Sequence, residues 1–422
     1  MMNAIRKNPL PRAVAASRLA AIRSRQRGQA FLLTLLILGI LLAALAYRMV
    51  TPANITAQND LKTEAALAQA REALLGYTSS QYTTNPKSIA IRPGRLPCPD
   101  TTGDGQAETN CTTGGSAATS ARIGRLPWRT LGIADLRDGA GEQLWYAVSR
   151  NFAATTGTIN SDTTAEYTVT GVSAASNVVA VIFAPGAVVG SQRRDAVIAS
   201  CSTTGTSRAR NLCAENYLEG GNQDGNASFV GALSADAYND KLMVITHDML
   251  FKRVLQRVAN HARAVLNSYY QNNAAFPTAS ALGSASNQCA PAVYQGRVPL
   301  PPTSNAPPEP CAMINTWTGV NFEGWFSNNN WHHYLYYAVS PNCTNAAMAA
   351  ACSAGGGLTV NSKSTSVRAL LIATGRAYSV QNRPCATASD CLEDAENTNG
   401  DTVFTVPVAS STNNDQLIIV SP

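Results

Sequence analysis

Trp145-Tyr146-Ala147-Val148-Ser149 returns late in the chain as Tyr336-Tyr337-Ala338-Val339-Ser340. Two aromatics, a small residue and a β-branched one in a row suit a short strand with packed faces. The recurrence is not isolated. Ala70-Arg71-Glu72-Ala73-Leu74-Leu75-Gly76-Tyr77 aligns with Ala262-Arg263-Ala264-Val265-Leu266-Asn267-Ser268-Tyr269, and Gly94-Arg95-Leu96-Pro97 with Gly296-Arg297-Val298-Pro299. Val181-Ile182-Phe183-Ala184-Pro185-Gly186 matches Leu370-Leu371-Ile372-Ala373-Thr374-Gly375. The last block pairs Asn239-Asp240-Lys241-Leu242-Met243-Val244-Ile245-Thr246 with Asn414-Asp415-Gln416-Leu417-Ile418-Ile419-Val420-Ser421. Five blocks in one order mark an internal duplication.

Each copy reads as a helix followed by short strands. The second helix is expected to begin near Asp248, which would cap it. Its apolar positions Leu250, Val254, Leu255, Val258, Ala262, Val265 and Leu266 recur at steps of three and four, giving one buried face, with Lys252, Arg253 and Arg257 on the wet side. The apolar runs that follow are bounded by Gly, Pro or Asn, as antiparallel strands between turns are. Helix first and sheet after it predicts an α+β layout.

Composition narrows the function. The chain has 422 residues, 45% of them hydrophobic and 14% charged, with a net charge of +6. That length suits two or three domains, and the apolar content is too high for a disordered chain. Seven of the basic residues, from Arg6 to Arg27, lie in residues 1–28, which hold no Asp or Glu. The remainder carries about −1, so the basic excess marks a leader rather than a nucleic-acid surface. Ala30 to Tyr47 then runs 18 residues without a charge, close to the roughly 20 of a membrane-spanning helix. Cations before it place the N-terminus in the cytoplasm and the rest outside it. Alternatives are a secretory signal cut at Ala44-Leu45-Ala46 and an uncleaved signal anchor holding a periplasmic or surface binding module.

Arg25-Gln26-Arg27-Gly28 followed by Gln29-Ala30-Phe31 resembles the prepilin leader of type IV pilins and type II secretion pseudopilins. The resemblance implies cleavage by prepilin peptidase after Gly28 and methylation of Gln29 as the new N-terminus. Pro52 lies near the place where the family's helices commonly carry a proline. Asp138, Gly141 and Tyr146, within Asp138–Tyr146, match the family's turn-and-strand, although its Pro-Trp pair is missing. Two departures stand out: Gln29 replaces the usual Phe or Met, and Leu33 replaces the usual glutamate at mature position five. Without that carboxylate to neutralise a neighbour's N-terminus, a tip or initiating place is expected rather than the repeated shaft. The expected fold is therefore α+β, with an N-terminal hydrophobic transmembrane helix and two tandem pilin-like heads, each a helix on a small antiparallel sheet. Its parts would be a basic leader (1–28), a transmembrane and stalk helix (29–80), a first head (81–247) and a second head (248–422). The resemblance implies a minor subunit in the inner membrane, single-pass, with periplasmic heads that become extracellular on assembly. Its implied partners are other pilins or pseudopilins through the N-terminal helix, prepilin peptidase and an inner-membrane assembly platform.

All ten cysteines lie beyond the apolar run, and an even count on an exported chain implies disulfides. Neighbour pairing gives Cys98–Cys111, Cys201–Cys213, Cys289–Cys311, Cys343–Cys352 and Cys385–Cys391; the CxxC spacing of a zinc site is absent. No catalytic set emerges from His247, His261, His332 and His333, and no GxSxG, Walker A or GxGxxG loop sits in a fitting context. The aromatic cluster from Trp317 to Tyr337 reads as core before it reads as a ligand platform for an exported enzyme. Asp100, Asp104 and Glu108 alternate with turn glycines as calcium ligands do, against the plainer reading of an acidic turn closed by a disulfide. Related pseudopilin heads can bind calcium in a late loop, which would fall at Asn222–Asn226 or Asn397–Asp401.

Overall fold

The apolar runs of the repeated blocks form strands whose side chains point alternately to two faces, and both faces are buried. A computed structural model describes residues 14–49, 52–80, 92–111, 122–153, 157–201, 207–224, 226–233, 237–302, 317–355, 357–378 and 380–422; the side chains of 14–28, 46, 48, 49, 52, 53 and 80 lie outside that description. The chain divides into two units, Met1–Leu61 and Lys62–Pro422.

The N-terminal unit holds α1 (Val14–Met49) and the start of α2 (Pro52–Ser80). Among the described residues no helix is long and apolar enough to cross a membrane. This corrects the expected transmembrane helix and, with it, the single-pass inner-membrane placement.

In the larger unit the first half forms a six-stranded sheet, with β1 (Ile123–Arg125), β2 (Trp145–Val148), β3 (Tyr167–Gly171), β4 (Ala175–Ala184), β7 (Ser228–Gly231) and β8 (Lys241–Thr246). A one-turn helix α3 (Arg150–Ala153) follows β2, and β5 (Ile198–Ser200) and β6 (Ser207–Ala209) make a separate hairpin. The order is β1-β2-β4-β3-β7, with β8 also on β4 and β3–β7 parallel. Then comes α4 (His247–Asn273). The second half repeats the plan with β9 (Gln295–Arg297), β10 (Leu335–Val339), β13 (Ala369–Ala373) and β15 (Gln416–Ser421) in the order β15-β13-β10-β9. Beside it lie β11 (Leu358–Val360), β12 (Ser364–Val367) and β14 (Val403–Phe404), with β11–β14 again parallel.

On β2 and β10, Tyr146, Val148, Tyr337 and Val339 face a core that also contains the buried faces of α2 and α4. Trp145 and Ala147 join a second cluster under the β3–β7 pair, and Tyr336 and Ala338 a third under β11–β14. The expectation of two tandem heads, each with its own helix-on-sheet core, is thereby corrected. Leu250, Val254, Leu255, Val258, Ala262 and Leu266 of α4 share one continuous core with strands of both halves. The helix serves two sheets, so its buried face is wider than a single stripe and takes in Phe251 and Ala259 as well. Its N-cap is Thr246, whose hydroxyl accepts from Met249 N–H, so Asp248 sits in the first turn, where it favours the helix dipole.

The register of one repeat block also changes. Arg297 exchanges backbone hydrogen bonds with Ser280, as Arg125 does with Asp100. Gly296-Arg297-Val298-Pro299 is thus the counterpart of Gly124-Arg125-Leu126-Pro127, not of Gly94–Pro97.

Candidate functional site

Each half ends in the same buried corner. In the first, Asn239 and Asp240 donate their N–H groups to Glu219 Oε2 at 3.1 Å each, and Glu219 N–H returns a bond to Asp240 Oδ2 at 2.9 Å. Gln192 Nε2 donates to Glu219 Oε1 at 2.7 Å while its own Oε1 accepts from Val189 N–H. In the second, Asn414 N–H donates to Glu393 Oε2, Glu393 N–H to Asp415 Oδ2, Gln381 Nε2 to Glu393 Oε1 and Tyr378 N–H to Gln381 Oε1. Burial first, then the neighbouring Glu219 carboxylate, pushes Asp240 up to about 8; burial and Glu393 push Asp415 well above the usual carboxylate range. Each pair is therefore a proton-holding latch tying the disulfide-bearing segment to the last strand of its sheet.

Beside each corner an arginine crosses to an acid, but the acids come from different places. Arg194 pairs with Glu142 at 3.1 Å, and Gly186 N–H donates to Asp138 Oδ2, both acids lying on the first half's own turn. The second half has no such turn among its described residues. Arg383 pairs instead with Asp162 of the first half at 3.0 Å, and Ala377 N–H donates to the same oxygen. The segment 157–165 thus clasps the two halves. Ile159 N–H donates to Asn329 Oδ1, Asn160 Nδ2 to Asn329 O, and Ser161 Oγ to Thr374 O. Two cavities open along this seam, a polar one of about 490 Å³ and one of about 210 Å³ with mixed polar and apolar walls, and a groove of about 560 Å³ lies between the start of α4 and residues 406–417.

Gly28 and Gln29 both fall inside α1. Cys98–Cys111, Cys201–Cys213, Cys343–Cys352 and Cys385–Cys391 are bonded as neighbour pairing predicts. Cys289 is disulfide-bonded, and Cys311 lies outside the described residues. Asp100, Asp104 and Glu108 are not gathered around a common point. Asp100 accepts from the N–H groups of Thr102, Gly103 and Gly105, Asp104 from Gln106, and Glu108 from Thr101. The late loops are likewise closed on themselves: the Asn222 side chain brackets Val230 and Asn397 brackets Thr405, each through two hydrogen bonds to backbone. Among the described residues, Cys201, Cys213 and Glu215 are the one His, Cys, Asp or Glu group close enough to share an ion, and both thiols are spent in a disulfide. Trp325, Phe326 and Trp331 are fully buried, so these aromatics are core.

No family model, curated protein or solved structure matches the chain. The twin carboxyl corners were half visible in the sequence, since Asn-Asp precedes the last strand of both copies. Their acidic partners, Glu219 and Glu393, lie outside every matched block and left no comparable signal.

Proposed function

We propose that this chain is a non-enzymatic minor subunit of a type IV pilus or type II secretion filament, placed at the tip or in the initiating complex. The observation that carries the reading is an uncovered apolar helix. From Phe31 to Leu45 the large apolar side chains of α1 are 48% to 66% exposed. Consecutive residues are involved, so the helix is apolar all round, and one docking surface would cover only a stripe of it. A bundle of equivalent helices from neighbouring subunits covers every side. Removal of residues 1–28 after Gly28 by prepilin peptidase leaves that helix at the new N-terminus. Between residues 29 and 47 no Asp or Glu is available to neutralise a neighbour's terminal amine, which favours an end position over the shaft.

Mass spectrometry of the protein from its native host is the test. A chain beginning at methylated Gln29 supports the reading, and one beginning at Met1 or Tyr47 sinks it. A photo-crosslinker at Leu36 should capture other filament subunits; capture of none of them would refute the bundle.

A further inference from the structure

The two seam cavities meet where Asp162, Asn330 and Tyr334 line both of them. Asn151, Thr158 and Asn160 of the first half complete the larger one, and His333 and Arg383 of the second half complete the smaller. Neither half owns this recess. Together the cavities fall in the range of roughly 300–1,000 Å³ usual for small-molecule sites, but the lining is polar where such sites are mostly apolar.

The lining is also close to neutral. Asp162 and Arg383 are closed on one another in their ion pair. Burial and the Arg297 guanidinium push His333 down to about 4, so the ring is uncharged at neutral pH. Arg297 Nη1 lies 2.7 Å from His333 Nδ1, and a guanidinium only donates. Nδ1 therefore accepts, and the ring hydrogen sits on Nε2. Burial keeps the Tyr334 phenol protonated. Its ring is held by Trp331 on its edge and by the Arg383 guanidinium 5.5 Å from its centre, so it is fixed before any ligand arrives. Asn330 stands exposed in the left-handed region, at φ 58°, a conformation Asn adopts more readily than most residues.

We infer that this recess binds a neutral saccharide of one or two rings, with Asn330, Thr158 and Tyr334 as its principal contacts. A sugar hydroxyl both donates and accepts, as carboxamides and hydroxyls do, so a mixed neutral lining matches it group for group. A phosphate or carboxylate would find no unpaired cation in this lining, and an acyl chain would find little apolar wall. The inference involves residues 151–383 and does not rest on the filament reading of α1.

The test is saturation-transfer NMR on the full chain, in a detergent without a sugar headgroup. The probes are methyl glucoside, maltose, lactose and diacetylchitobiose, with inorganic phosphate titrated as the anionic comparison. At least one sugar should receive saturation, and Asn330→Gly and Thr158→Val should each weaken its binding about fivefold or more. Glycine keeps the left-handed backbone, so Asn330→Gly should retain the fold; if its thermal midpoint falls, Thr158→Val alone decides. Val408→Ser, beside the apolar groove at the start of α4, should change nothing. No saturation of any sugar, undiminished binding in Thr158→Val, or phosphate binding tighter than every sugar would overturn the inference.

Discussion

Replacing Asp240 by Asn should flatten the fall of stability with pH that the buried carboxyl corner imposes. Asp240 holds its proton up to about pH 8 in the folded chain, against an ordinary value of 3.8. Between those values the folded state binds a proton that the unfolded state has released. Stability from this group is thus complete below pH 4, declines as pH rises, and is gone above about pH 8. The slope of one such group is about 1.4 kcal/mol per pH unit. The two carboxyls of the corner are tightly coupled, so a loss of about 1–3 kcal/mol between pH 5 and 7.5 is the expected scale. Asn carries no titrating proton. Its oxygen keeps the bonds from Glu219 N–H and Asn222 Nδ2, and its amide can donate toward Glu219 in place of the shared proton. The variant should therefore be more stable than the parent at pH 7.5 by about 1–3 kcal/mol, with the advantage vanishing near pH 4. Asp415 retains its own slope, so only the double variant Asp240→Asn, Asp415→Asn should lose most of the dependence. Urea midpoints of the disulfide-intact chain at pH 4.5, 6 and 7.5 measure it. Parallel curves for parent and single variant would refute the proton-holding corner.

Three further outcomes follow from the packing. Asp162→Ala leaves the Arg383 side chain, 5% exposed, without its charge partner, and should cost about 2–3 kcal/mol in thermal or urea unfolding; Asp162→Asn should recover part of that. A Cβ on Gly124 would lie 2.5 Å from Asp100 O, and one on Gly296 2.2 Å from Ser280 O, so each Gly→Ala change should destabilise by about 1–3 kcal/mol. Removing Cys385–Cys391 by paired serines should cost about 2 kcal/mol, because the bond closes a short loop and constrains little of the unfolded chain.

The strands and α4 were legible because their signals are local. Apolar spacing named six of the α4 residues in the shared core, and the apolar runs named three of the four strands of the second sheet, β10, β13 and β15; β9, Gln295-Gly296-Arg297, has no apolar run to show it. The cysteine pairs were legible for a similar reason, since both partners sit in one short polar loop. Register was less secure. The first half contains Gly-Arg-Leu-Pro twice, at 94–97 and 124–127, and letters alone cannot choose between them. Contacts do choose: Gly124 and Gly296 each sit against a carbonyl that leaves no room for a side chain, whereas Gly94 serves a turn at φ 99°. Leu96-Pro97 instead corresponds to Phe276-Pro277, because Tyr146 and Tyr337 donate their hydroxyls to Pro97 O and Pro277 O in turn.

Fusion of the two halves was not legible, and the reason lies in how the copies diverged. The first copy keeps a turn carrying Asp138 and Glu142 that closes its own corner beside Gly186 and Arg194. The second has no described counterpart of that turn, so the buried Arg383, which otherwise meets only the Gly375 and Cys391 carbonyls, would lack a carboxylate, and the Ala377 N–H would lose its acceptor. Segment 157–165 of the first copy meets both needs through Asp162. A missing feature in one repeat is thus answered by an added contact from the other, and the pair can no longer separate without leaving a buried guanidinium unpaired. The polar recess at the seam is a consequence of the same exchange. Had each copy closed its own corner, Asp162 and Tyr334 would have had no reason to meet.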